Sequence, residues 1–126
     1  MERDEFERLV AKAIKALPGE FLARLENIDI VVEDAPTRSQ LREQGLARGE
    51  TLLGLYEGVP LTERGAHYGL VPPDKITIFQ EPIEESCDSA VQIIDEVASV
   101  VRHEIAHHFG LSDARLDELE NRRHPG

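Results

Sequence analysis

The chain has 126 residues, 40 % of them hydrophobic and 31 % charged, with 25 Asp and Glu against 14 Lys and Arg, for a net charge of −11. That length fits one domain over residues 1–126 with a single core, and the composition excludes a disordered chain. No apolar run approaches the roughly 18 residues that a membrane span needs.

Phe6, Leu9, Val10, Ala13, Ile14 and Leu17 recur at helical spacing, so residues 3–17 read as an amphipathic helix ended by Pro18-Gly19. Residues 20–26 read as one or two further helical turns. Ile28 to Glu33 (IDIVVE) is β-branched and partly alternating, the pattern of a strand. Residues 37–44 (TRSQLREQ) read as a short helix with Gly45 past its end. Thr51 to Glu57 (TLLGLYE) is a second strand candidate, followed by a Gly- and Pro-punctuated irregular loop over 61–74. Lys75 to Gln80 (KITIFQ) reads as a third strand and Pro82 to Asp88 as a helical turn. One long helix is expected from about Ser89 to Phe109, and a last one at about 113–122. This order predicts an α+β fold, a small sheet with helices on one side. A sheet so small is expected to leave an edge strand, either Leu52–Glu57 or Ile76–Gln80, for an extended peptide to pair with.

The basic residues are scattered among acids, so no nucleic-acid-binding face is expected. Five carboxylates among the first twenty residues argue against a secretory signal. Cys87, the single cysteine, excludes an internal disulfide and fits a reduced, cytoplasmic setting.

Residues 103–113 read HEIAHHFGLSD. His103 and His107 stand four apart on the long helix, so both imidazoles project from one side and two such nitrogens can hold one zinc ion. Glu104 is rotated by about 100° from His103, beside the metal rather than on it, where a general base for the attacking water belongs. A chain of this composition is expected to hold only about 0.03 HExxH matches by chance. On the helical wheel Val97, Ala98, Val101 and Ile105 cluster around Ile94 as a core face. Ile93, Glu96 and Val100 continue the histidine stripe, which places the site in a cleft over the second face. Gly110 can take φ > 0 and turn the chain back, bringing Asp113 toward the metal, and His-His-Asp leaves a fourth position for water. Ser112 or Asp113 could instead cap the last helix. Glu118, Glu120 and His124 are the other candidates for third ligand. Such a site also accepts divalent ions other than zinc. His108 points toward the core face and reads as a buried, hydrogen-bonded histidine. Tyr56 reads as part of a strand face, Cys87 as a small apolar residue, and His67 and Tyr68 as loop residues.

His103, Glu104, His107, Gly110 and Asp113 match HExxHxxGxxD, and with LLGLYEGVPLTERG and PDKITIFQEPI the chain resembles the bacterial family of very short zincin-like metallopeptidases. The likeness covers most of residues 20–120. It implies a minimal zincin-like fold: a small mixed sheet of three to four strands on a central active-site helix, with N- and C-terminal helices. It also implies zinc held by His103, His107 and Asp113, and hydrolysis of peptides or unfolded protein with Glu104 as base. The larger metzincins carry a methionine-containing turn after the motif, whereas the only methionine here is Met1, so the floor of the site is expected to be built differently, by the last helix. The alternative reading is a zinc-loaded, weakly active peptide-binding or regulatory module on the same scaffold.

Overall fold

The computed structural model describes residues 1–58, 73–110 and Glu118. Helix α1 (Arg3–Lys15) buries Phe6, Leu9, Val10 and Ala13 along one stripe and gives way, before Pro18, to the short α2 (Gly19–Arg24) and a single 3-10 turn. Strand β1 (Ile28–Glu33) follows, as the alternation predicts. Thr37 caps α3 (Arg38–Glu43) through a capping box with Gln40. Strand β2 is confined to Gly54–Glu57, so the expected strand over Thr51–Glu57 loses its first three residues. Strand β3 (Asp74–Phe79) ends one residue sooner than expected, because Gln80 opens α4 (Gln80–Ser86). Gln80 is buried there and needs its polar atoms satisfied: it accepts from Arg3 Nε and donates to the Met1 carbonyl and to Glu84, each at 2.9 Å.

The long helix α5 (Ala90–Phe109) is capped by the Ser89 hydroxyl, which accepts from the Gln92 amide. It ends at Gly110, left-handed at φ 69°, where a side chain would be strained. The expected last helix at 113–122 lies, apart from helical Glu118, outside the described residues.

The sheet is mixed, in the order β1-β3-β2, with β1 parallel and β2 antiparallel to β3. The architecture is therefore the expected α+β, and β3 is its centre. This corrects the reading of Ile76–Gln80 as a possible edge: Ile76 and Ile78 pack into the core from one face of β3, and Thr77 and Phe79 are buried as well. Among the described residues the edges are β1 and β2. The core lies between the sheet and the pair α1 and α5, with Ile93, Val97, Ala98, Val101, Ile105 and Ala106 supplied by α5. Cys87 packs, partly buried, against this core, in keeping with an apolar role. No helix among the described residues is long and apolar enough to cross a membrane.

Candidate active site

The last two turns of α5 carry the motif: Ile105 and Ala106 still face the core, while His107 to Gly110 are exposed. His103 and His107 are both exposed. His103 Nδ1 lies 2.7 Å from the Ser99 carbonyl, with the Ser99 hydroxyl at 3.3 Å. A carbonyl can only accept, so Nδ1 carries the proton and the lone pair of the neutral ring stands on Nε2, free for a metal ion. Ser99, four residues before His103, is missing from the sequence reading, although the i to i−4 spacing within a helix could have singled it out.

Glu104 faces β2. The Phe79 amide donates to the Leu53 carbonyl, and the register sets Leu55 opposite Thr77. In an antiparallel ladder the intervening residues Gly54 and Tyr56 then aim their amides away from β3. The Tyr56 amide donates to Glu104 Oε2 at 3.3 Å, so the carboxylate is tied to the outer edge of the sheet. Burial holds the Glu104 pKa above the usual carboxylate range, although the Tyr56 amide and the nearby His107 and His103 pull the other way.

This approach of strand to helix requires a glycine. A Cβ on Gly54 would lie 2.4 Å from Val100 Cγ1 and 3.1 Å from the Thr77 carbonyl oxygen. Val100 sits one turn before Glu104, so the missing side chain at Gly54 lets β2 come within hydrogen-bonding reach of the carboxylate.

Tyr56 makes two further contacts. Its hydroxyl donates to Asp74 Oδ2 at 2.7 Å, and its ring stacks on His108 with centroids 3.8 Å apart and planes at 15°. His108 is nonetheless exposed rather than buried, a correction to the sequence reading. The helical wheel turns it toward the core side correctly. The last turn, however, overhangs the core, and a tyrosine from the edge strand meets the ring there. The next residue, Phe109, packs edge-on to His108 and lies under the Arg24 guanidinium, 4.7 Å from its ring centre.

A cleft of about 260 Å³ is lined by Leu52, Leu53 and Gly54 and, from the helix, by Glu96, Val100, His103 and Glu104, part of the second stripe expected from the sequence. Ile93, expected on that stripe, is instead buried in the core, and Ile94, expected at the centre of the core face, is only partly buried. A larger cavity of about 640 Å³ lies between α1 and β1 and contains none of the motif residues. Among the described residues no three His, Cys, Asp or Glu side chains form a metal-holding group, so His103 and His107 would need a ligand from elsewhere in the chain. Asp113, Glu120 and His124 fall outside the described residues, as do His67 and Tyr68; Glu118 is exposed.

A family model described as zincin-like metallopeptidase matches residues 25–123. No curated protein matches the chain. Among solved structures, a conserved hypothetical protein from Thermus thermophilus is similar, with a TM-score of 0.54 and 18 % identity over 86 % of this chain and 94 % of that one. At that identity the likeness concerns the fold.

Proposed function

Because the chain belongs to the zincin-like metallopeptidase family, we propose that it hydrolyses peptide bonds, with His103, His107 and Asp113 holding a zinc ion and Glu104 acting as general base. The observation that carries the reading is the position of Glu104. Its carboxylate is partly buried, held by an outward-facing amide of an edge strand, and lines the same cleft as His103.

The donor set suits zinc: an imidazole whose Nδ1–H is already engaged offers Nε2, and its outer partner, the Ser99 carbonyl, fixes the ring. Zinc, when bound, supplies Lewis acidity to water and to the substrate carbonyl. Glu104 takes the proton of the attacking water as its oxygen bonds to the carbonyl carbon. It then gives that proton to the amine nitrogen as the C–N bond breaks. A pKa lifted by burial makes Glu104 a stronger base than an exposed carboxylate. The Tyr56 amide engages Oε2 and leaves Oε1 for the water. The edge of β2 offers the outward backbone groups of Gly54 to an extended peptide or unfolded protein substrate, the Tyr56 amide being engaged by Glu104.

The test is digestion of a diverse peptide library by the zinc-loaded protein beside its Glu104→Ala variant. Cuts made by the parent alone support a peptidase. A parent that holds zinc and cuts nothing overturns the reading and leaves a zinc-loaded binding module.

A further inference from the structure

A second cavity, of about 470 Å³, lies along α3 and the loop that follows it. It is lined by Arg38, Arg42 and Arg48, by one acid, Glu50, and by the apolar Leu41, Leu46 and Ala47. In a chain of net charge −11 three guanidinium groups on one pocket stand out. None is ion-paired to a carboxylate among the described residues. Glu50 Oε1 accepts the Ala47 amide at 2.9 Å, and Glu43 accepts the Ser39 hydroxyl.

Arg38 and Arg42 stand on α3, and the loop that carries Arg48 is fixed by its own hydrogen bonds. The Gly45 amide donates to the Arg42 carbonyl and the Leu46 amide to the Leu41 carbonyl, the paired bonds of a Schellman closure with Leu41 and Leu46 as its apolar contact. Gly45, at φ 71°, makes that closure possible. The Glu50 amide returns to the Ala47 carbonyl and closes the next turn. The pocket and the cleft are linked through consecutive residues of the chain: Glu50 lines the one, and Thr51 lines the other.

We propose that this pocket is a carboxylate-recognition subsite of the cleft, which selects peptides carrying Asp or Glu side chains. The proposal rests on the cleft being a peptide site. Guanidinium groups match carboxylates in a two-point geometry, and apolar neighbours such as Leu41 and Leu46 suit the methylenes of an Asp or Glu side chain. The overall charge of the protein predicts the opposite preference, for neutral or basic peptides, so the two expectations separate cleanly.

The experiment is fluorescence anisotropy on the full chain, freed of metal to prevent turnover. The probe is a labelled extended peptide with several Glu residues and an amidated C-terminus, compared with its Gln counterpart. The Glu peptide is expected to bind about fivefold more tightly, a margin suited to a few exposed ion pairs, and the margin should shrink as salt is added. Replacing Arg38, Arg42 and Arg48 together by Gln should remove the preference and leave affinity for the Gln peptide unchanged. Replacing all three by Lys should keep part of it, which serves as the test should the first variant fold poorly. Equal binding of the two peptides overturns the proposal, as does a preference that survives the Gln substitutions or one that appears only with a free C-terminal carboxylate. Binding preference without hydrolysis by the zinc-loaded protein refutes the peptidase and keeps the subsite. Hydrolysis with equal kcat/KM for both peptides does the reverse.

Discussion

Gly54→Ala tests the contact that brings the edge strand to Glu104. Gly54 is not among the residues at positive φ, so Ala is compatible with its backbone, and the loss of unfolded-chain freedom alone would stabilise by about 0.4–1 kcal/mol. The added carbon, however, would meet Val100 Cγ1 at 2.4 Å, where carbon atoms prefer about 3.5–4.0 Å. The Thr77 carbonyl oxygen behind it, at 3.1 Å, belongs to the central strand and cannot retreat. Val100 is held near one rotamer by its helix. Strand β2 must therefore move off α5 by about 1 Å, at a cost of about 1–3 kcal/mol, which outweighs the entropic gain. The Tyr56–Glu104 bond, already 3.3 Å long, does not survive such a shift. Urea unfolding of Gly54→Ala, Val100→Ala and the double variant measures the effect. The double variant, whose smaller residue 100 makes room, should be more stable than the sum of the single losses by about 1–2 kcal/mol. An additive cycle, or a Gly54→Ala variant as stable as the parent, would falsify the reasoning.

Three further outcomes follow from particular contacts. The folded chain favours protonated Glu104, so the contribution of this group to stability is full below the usual carboxylate range and is lost as pH rises through the raised value. Glu104→Gln should thus raise the melting temperature of the metal-free protein at neutral pH, and the gap should close on acidification; a gap that widens in acid contradicts the burial argument. Gly110→Ala, with open space around the Cβ but φ at +69°, should cost about 1 kcal/mol in denaturant unfolding and Gly110→Asn less, an order that a purely steric effect would not give. Gln80→Leu strands the partners of a buried amide and should cost about 1–3 kcal/mol; a loss of only a few tenths would mean that Arg3 and the Met1 carbonyl find other partners.

What the sequence revealed was the local part. The alternation of Ile28–Glu33, the stripe of α1 and the reach of α5 to Phe109 each depend on neighbours within a few positions, and each stands close to where the pattern puts it. The pair His103 and His107 and the adjacent Glu104 were legible for the same reason. The order of the strands was not, because it depends on which apolar run is buried from both sides, and the pattern of Lys75–Gln80 does not record that. The partner of Glu104 was equally hidden, since the Tyr56 amide comes from 48 residues away. His108 shows the limit of a helical wheel: the wheel gives a direction, while the length by which the helix outruns the core decides what stands there.

The parallel pairing at the heart of the sheet also governs the order in which the molecule can assemble. Each residue of β1 meets a partner 46 positions later, Ile28 with Asp74 and Glu33 with Phe79, so no hairpin can zip this pair from a turn. The chain must close a long loop before the first of those hydrogen bonds is rewarded, and such topology slows the search. Helices α1 and α5 can begin to form from local interactions alone. The wall of the cleft cannot, because β2 joins β3 by non-local hydrogen bonds and packs on a helix far along the chain, so the carboxylate of Glu104 acquires its amide partner only once strand and helix have met.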